Sequence, residues 1–349
     1  MTAVAAAAPK WLKRIARPLR DARRHRSQLA EAQQAWETEW AIEREIDDLT
    51  RGDHPVVAGP WLSEVGYEVL YWVPFLRWVR EAFRLDPSRV VAVSRGGVAS
   101  WYGGIASRYA EVWDDITPED YARRSAERGA VKQLADAEFD RDVAARVEAR
   151  LGLRGARVLH PSLMYRLFGL FWSGHRPLSF IDSHTRFEAV EATMVQPLPQ
   201  LPSEYVAVKF YAARSLPDTP AIRAVLREQV AALAKQIPVV LLDTGLVLDE
   251  HHDYDLANDA RVVSARPWMT PQNNLGVQTQ IIAGARAFVG TCGSVAWLAP
   301  MLGVPTSAVY VDPRWLHAHL SVALRAAHKV GRGAFAAADL RGAFPLLQV

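Results

Sequence analysis

The spacing of apolar residues changes character along the chain. Before residue 50 they are sparse and helically spaced: Trp11, Leu12, Ile15 and Leu19 share one face between Lys and Arg residues, and 28–49 continues as an acid-rich helix. Pro18 is expected to kink the first helix or to begin a new one. From Pro55 onward, short apolar runs alternate with helical patterns. The spacing predicts strands over 56–59, 89–94 and 157–160, with a weaker one over 178–182. Helices are expected over 68–83, where Leu70, Val73, Leu76 and Val79 recur, over 98–109, and through the heavily charged stretch 121–151. Pro197, Pro199 and Pro202 punctuate a linker. A second series follows, with strands over 205–210, 238–243, 261–264, 287–289 and 306–310. Its helices are expected over 221–236, 273–284 and 314–328. Strands alternating with helices on both sides of a proline linker predict an α/β fold. It has two Rossmann-like doubly wound domains facing a cleft, with a helical leader at the amino terminus. The expected divisions are 1–50, 51–196 and 197–349.

Composition narrows the classes. The chain has 349 residues, half of them apolar, which suffices for two cores. A single cysteine, Cys292, excludes a disulfide framework and a cysteine zinc cluster. It reads as a small buried filler, because no His or Lys stands beside it in sequence to make a thiolate. The net charge of +3 conceals an asymmetry. Residues 10–26 hold eight Lys or Arg and one Asp, so the remainder is mildly acidic. Such a basic amphipathic run suits an anionic membrane surface, equally with a solvated helix that packs Trp11 and Ile15 on the body. Nucleic acid is not an expected partner, since the body carries no basic stripe.

Two motifs carry candidate chemistry. Residues 288–310 read as strand, glycine turn, helix, turn and strand. Gly290, Thr291, Cys292, Gly293 and Ser294 form the turn, and Ser294 is placed to cap the helix. Free N–H groups at the carboxyl end of a parallel strand suit an anion such as a nucleotide phosphate. Gly290, Thr291, Gly293, Ser294, Ala296, Ala299, Leu302, Gly303 and Pro305 resemble the turn of GT-B glycosyltransferases that holds the diphosphate of an activated sugar. The second motif spans 58–80, a polar glycine-bearing loop that opens the first helix. It is similar to the first loop of heptosyltransferase-type GT-B enzymes, in which a carboxylate ahead of a helix proline acts as base on the acceptor hydroxyl. Counting back from Pro74 selects Glu68. An extra residue, Tyr67, follows Gly66, so Glu64 stays open as the base.

The resemblance implies further roles. Lys209, Tyr211 and Arg214, past the first strand of the second domain, would meet the leaving diphosphate. Asp243, Thr244, Asn273, Asn274 and Gln278 would contact the nucleotide. Trp61, Tyr67, Arg95, Gly96 and Gly97 would face the acceptor, while Trp72 reads as core. His251, His252 and Asp253 lack the spacing of a metal triad and read as a solvated loop. His160-Pro161 falls in the wrong domain for the His-Pro pair of CMP-sugar transferases.

The implied activity is sugar transfer from a nucleotide-sugar donor to a hydroxyl of a glycan or lipid-linked acceptor. The implied setting is cell-envelope or capsular polysaccharide synthesis on the cytoplasmic face of the membrane, with no metal and no other cofactor. Two other classes fit the same architecture. One is a nucleotide-sugar epimerase or pyruvyl transferase, and the other is a nucleotide-sugar-binding protein without turnover.

Overall fold

The computed structural model describes residues 10–129, 132–198, 201–246, 251–256 and 261–343; the side chains of 10–21, 23 and 343 lie outside the description. The chain opens with α1 (Lys10–Thr50), which runs through Pro18 without the expected division into two helices. Ala35, Ile42, Ile46 and Thr50, at i, i+7, i+11 and i+15, bury one stripe of it against the body. The apolar side chains expected to face a membrane, those of Trp11, Leu12, Ile15 and Leu19, fall outside the described residues.

The first sheet holds β1 (Val56–Ala58), β2 (Val90–Ser94), β3 (Arg108–Glu111) and β4 (Arg157–Leu159), all parallel, in the order β3-β2-β1-β4. Between β1 and β2, α2 (Val65–Tyr67) passes through a π turn (Glu68–Trp72) into α3 (Val73–Ala82). The π turn lies just before Pro74, which has no N–H to offer the carbonyl of Leu70. Then come α4 (Pro118–Arg128), α5 (Glu138–Leu151), α6 (Ser162–Trp172) and α7 (Leu178–Ser183).

The second sheet holds β5 (Val206–Lys209), β6 (Val239–Leu241), β7 (Val262–Ser264), β8 (Ala287–Thr291), β9 (Thr306–Tyr310) and β10 (Phe335–Asp339), again parallel, in the order β10-β9-β8-β5-β6-β7. Its helices are α8 (Pro220–Ala234), α9 (Asn274–Ala283), α10 (Val295–Leu298), α11 (His317–Val330) and α12 (Leu340–Ala343). Two doubly wound sheets facing one cleft make the GT-B arrangement.

Three elements differ from expectation. Residues 98–109 form a 3-10 turn (Ala99–Tyr102) and then the edge strand β3, whose single buried residue, Ala110, leaves no apolar run to read. Residues 178–182 are helical, not extended. Strand β10 was not anticipated, because its three alanines favour helix and only pairing with β9 draws them into the sheet. The crossover between halves also begins before the prolines: Val190 N–H already donates to Met301 O at 3.0 Å. Helix α11 returns to the first half, where Arg325 and Lys329 both pair with Asp182 of α7.

In each sheet the winding reverses at one place, between β1 and β4 and between β5 and β8. Ligands of open parallel sheets bind outside the carboxyl ends of strands at such a switch point. Those ends deliver the loops after β1, β5 and β8 to one cleft.

Gly290 sits inside β8, where a Cβ would overlap the carbonyl oxygen of Lys209 on β5. Gly290→Ala is therefore expected to lower stability by about 1–3 kcal/mol, as overpacking in a tight core does, and calorimetric melting of the two proteins measures it.

Candidate functional site

The cleft between the sheets has a volume of about 1020 Å³, enough for a nucleotide-sized ligand. On the first half, the loop after β1 places Glu64, Gly66 and Tyr67 on its wall, with Tyr71 from the π turn and Arg95 from the loop after β2. On the second half the wall is Lys209, Tyr211 and Arg214 after β5, Thr244 after β6, and Gly293 and Ser294 after β8. The two walls meet at Gly66. A Cβ there would stand 3.0 Å from Ser294 N and 3.3 Å from Trp297 Nε1.

The glycine turn differs from its expected form. Ser294 has φ +48 and makes no side-chain cap, and α10 is one α turn continued by a 3-10 stretch (Ala299–Leu302) around Pro300. Helix dipole is thus a smaller resource here than exposed backbone N–H groups. Gly293 has φ +140, and a Cβ would overlap Tyr211 Oη, so only glycine fits. Gly290 and Thr291 lie behind the turn. Thr291 Oγ1 accepts from Tyr211 N and donates to Tyr211 O, both at 2.9 Å, which fastens the β5 loop to β8. Cys292 is buried, and burial pushes its thiol up to about 12, which suits a filler and not a nucleophile.

Lys209 Nζ donates to Leu242 O at 2.9 Å and to Asp253 Oδ1 at 3.0 Å, leaving one of its three protons for a ligand. Asp253 also accepts from Thr244 N at 2.7 Å. Burial pushes its carboxyl up, but the Lys209 charge and the Thr244 N–H outweigh this and hold it below the usual range. The stretch expected as a solvated loop is therefore part of the wall: Asp253 is tied in, His252 pairs with Asp218 at 3.0 Å, and the His251 ring meets Tyr211 edge-on. Arg214 stacks over Trp315 with 4.9 Å from guanidinium carbon to ring centre.

The carboxylate favoured by counting from Pro74 does not reach the cleft. Glu68 is fully buried; Ser94 Oγ and Tyr102 Oη donate to its Oε1 at 2.5 and 2.6 Å, and its Oε2 has no partner. Burial raises it to about 7, and the two hydrogen bonds only partly oppose that. A carboxyl enclosed this way cannot touch an acceptor hydroxyl. Glu64, which precedes α2 without capping it, lines the cleft instead.

Other expected contacts are structural. Trp61 is buried and stacks between Trp72 and Tyr165. Gly96 and Gly97 donate to the two oxygens of Glu111 at 3.0 and 2.8 Å, on the seam between halves. Asp243 is held by Ser264 and Arg266 and lies outside the cleft wall. Asn273 ties down the crossover through Gln196 at 3.2 Å. Asn274 and Gln278 do reach the wall. Gln278 is buried, and its Oε1 has no partner.

Three residues, His319, Trp172 and Lys132, were not anticipated. His319, at the start of α11, lies between Tyr67 Oη (3.0 Å from Nε2) and Tyr71 Oη (2.8 Å from Nδ1), and Trp172 Nε1 donates to Tyr71 Oη at 3.4 Å. His319 thus bridges the two phenols through its two ring nitrogens, one of which donates and the other accepts in the neutral imidazole. Lys132 Nζ stands 4.5 Å from the Tyr67 ring centre. These groups come from positions as far apart as 67, 132, 172 and 319, so no local spacing joins them. Among the described residues, two groups have metal-ligand spacing, Glu39–Glu43–His184 and Asp136–Asp140–His160. Both lie outside the cleft, and Arg176 and Arg128 already pair with them.

No protein-family model matches the chain, and no curated protein does. Among solved structures, it is similar to the E. coli heptosyltransferase WaaC with ADP, at 18% identity and TM-score 0.39 over 84% of this chain and 99% of that one. It is also similar to a glycosyl transferase family 9 protein from Veillonella parvula, at 12% identity and TM-score 0.43 over 85% and 89%. The E. coli ADP-heptose LPS heptosyltransferase II matches at 14% and TM-score 0.40 over 74% and 86%. Among the described residues no helix is long and apolar enough to cross a membrane.

Two titrations follow from this geometry. Glu68 binds its proton more tightly folded, at about 7, than at its ordinary 4.5. Between those pH values the native state holds more protons, so stability falls as pH rises. Glu68→Gln should remove about 3 kcal/mol of that fall; urea unfolding at pH 5 and pH 8 gives the slope. His319 is lowered to about 4, by burial first and Lys132 second. Its imidazole should therefore stay neutral down to about pH 4 in an NMR titration, with the midpoint moving up in Lys132→Met.

Proposed function

We propose that the protein transfers a sugar from a nucleotide-sugar donor to a hydroxyl of a glycan or lipid-linked acceptor of the kind built into cell-envelope polysaccharide. The observation that carries this reading is the meeting of the two walls. The loop bearing Glu64 abuts the Gly293–Ser294 turn, with Lys209 and Arg214 on the same second wall. A donor whose diphosphate lies on the turn has its anomeric carbon toward Glu64.

Glu64 accepts the proton of the acceptor hydroxyl. The freed oxygen forms a bond to the anomeric carbon, the bond from that carbon to the phosphate oxygen breaks, and the nucleoside diphosphate leaves with the electron pair. Arg214 and the remaining proton of Lys209 would neutralise the growing charge, together with the N–H groups of the turn. Arg214 has the planar fork for two phosphate oxygens and is held by Trp315; Lys209 is pre-positioned by Asp253. Asn274 and Gln278 would bind hydroxyl or amide groups of the donor. Tyr67, on the cleft wall, would bind the acceptor.

Thermal-shift titration with UDP-, GDP-, ADP-, CMP- and dTDP-sugars is expected to show one nucleotide class raising the melting temperature; no shift with any of them would remove the donor reading. With the donor known, Glu64→Gln should lower kcat on the order of 10²- to 10⁴-fold and leave donor affinity nearly unchanged, because the base acts on the acceptor. Near-normal turnover would place the base elsewhere.

A further inference from the structure

Helix α1 leaves the body at Ala35. Ala22 and residues 24–34 are all exposed, so among the described side chains the helix stands clear between Ala22 and Gln34, about 20 Å at about 1.5 Å per residue. Helices in proteins depend on burying one face against a partner. This helix has such a face. Leu29, Trp36 and Trp40, at i, i+7 and i+11, are 57%, 68% and 61% exposed, and Ala22 shares their phase seven residues earlier. The stripe lies about 100° around the helix from the Ala35–Ile42–Ile46 stripe that packs on the body. Arg176 and Arg44 rest against Trp36 and Trp40. Toward Thr50 the stripe runs into an open groove formed by Trp40 and Leu49, with Glu37, Glu45 and Asp48 against Arg44 and Arg157.

Charge along the same helix is split. Residues 10–26 carry eight Lys or Arg and one Asp, a sum of +7; residues 27–50 carry seven carboxylates and one Arg, a sum of −6. We infer that α1 pairs antiparallel with α1 of a second copy of this chain. An antiparallel mate sets the basic half of each copy on the acidic half of the other, twice per pair, whereas a parallel mate sets like on like. The two-fold axis then passes near Leu29, which is seven residues from both Ala22 and Trp36. Leu29 meets its own counterpart, and Trp36 of one copy covers Ala22 of the other, a large residue over a small one. The basic half enters the acidic groove beside Trp40. An anionic bilayer fits less well, because the exposed tryptophans lie in the acidic half that it would repel.

Light scattering of the full chain at low salt should give twice the chain mass, with dissociation promoted by salt because the ion pairs are exposed. Leu29→Glu with Trp36→Glu should give a monomer that still unfolds cooperatively, with no more helical signal lost from its circular dichroism than the exposed turns of α1 account for. Cross-linking reads the register. Cys292 is buried and stays silent. Leu29→Cys should oxidise to a covalent dimer, and Glu31→Cys, on the far side of the helix, should not. Ala22→Cys and Trp36→Cys should cross-link only when mixed. A monomeric parent at tens of micromolar would overturn the inference, as would self-cross-linking of Ala22→Cys or Trp36→Cys alone. A monomer that sediments with phosphatidylserine vesicles would overturn it in favour of a lipid surface.

Discussion

The cleft exists because two sheets are held with their carboxyl edges facing, and that hold depends on a backbone contact. Gly276 N–H at the start of α9 donates to Gly96 O at 2.8 Å. Gly96 and Gly97 reach this position with φ of +84 and +77, a region that side chains disfavour. A Cβ on Gly97 would stand 3.0 Å from Gln272 O, and one on Gly96 3.0 Å from Leu275. The two glycine N–H groups would be orphaned in this turn but for Glu111, whose carboxylate takes both and also accepts from Tyr109 at 2.9 Å. Burial raises Glu111 to about 7, with these donors partly offsetting it. Trp101 Nε1 donates to Thr279 Oγ1 at 3.0 Å beside the same contact, so side-chain hydrogen bonds reinforce the seam.

Around that seam the two walls have different physical characters. The first is rich in aromatic rings: Tyr67, Tyr71 and Trp172 gather on a neutral His319, and burial pushes both phenols above their ordinary range. Such a surface offers ring faces and fixed hydroxyls, which suits sugar rings. The second wall is built from backbone turns and cations, with Lys209 fixed by Asp253 and Arg214 by Trp315. Fixed dipoles and charges stabilise developing negative charge without reorganising. The proposed sugar transfer would use the two walls differently, a carboxylate of the first accepting a proton and the cations of the second meeting the leaving group.

Glu68 illustrates how a local pattern can select a side chain that packing keeps out of the cleft. An acid ahead of a helix proline is visible in sequence, and two acids fit. The two differ in where they lie relative to the π turn. Glu68 opens it and points inward onto Ser94 and Tyr102, 26 and 34 residues further along the chain, while Glu64 precedes the first helical residue and stays at the cleft. Trp61 was misassigned for a related reason, since aromatic residues in a loop and in a core have the same composition.

The sequence by itself determined the alternation of buried strands and helices, the presence of two such series, and the glycine turn after β8. Each is a local consequence of apolar spacing and of backbone geometry that only glycine tolerates. It also determined the split charge of α1, which is written in residue order. Only the tertiary structure decided which side chains share the cleft. His319, Lys132 and Trp172 reach Tyr67 through chain reversals that no short-range pattern encodes. Edge strands β3 and β10 likewise owe their form to a neighbouring strand: Arg108–Glu111 and Phe335–Asp339 bury too little apolar surface to declare themselves, and hydrogen bonds to β2 and β9 supply what their own residues do not.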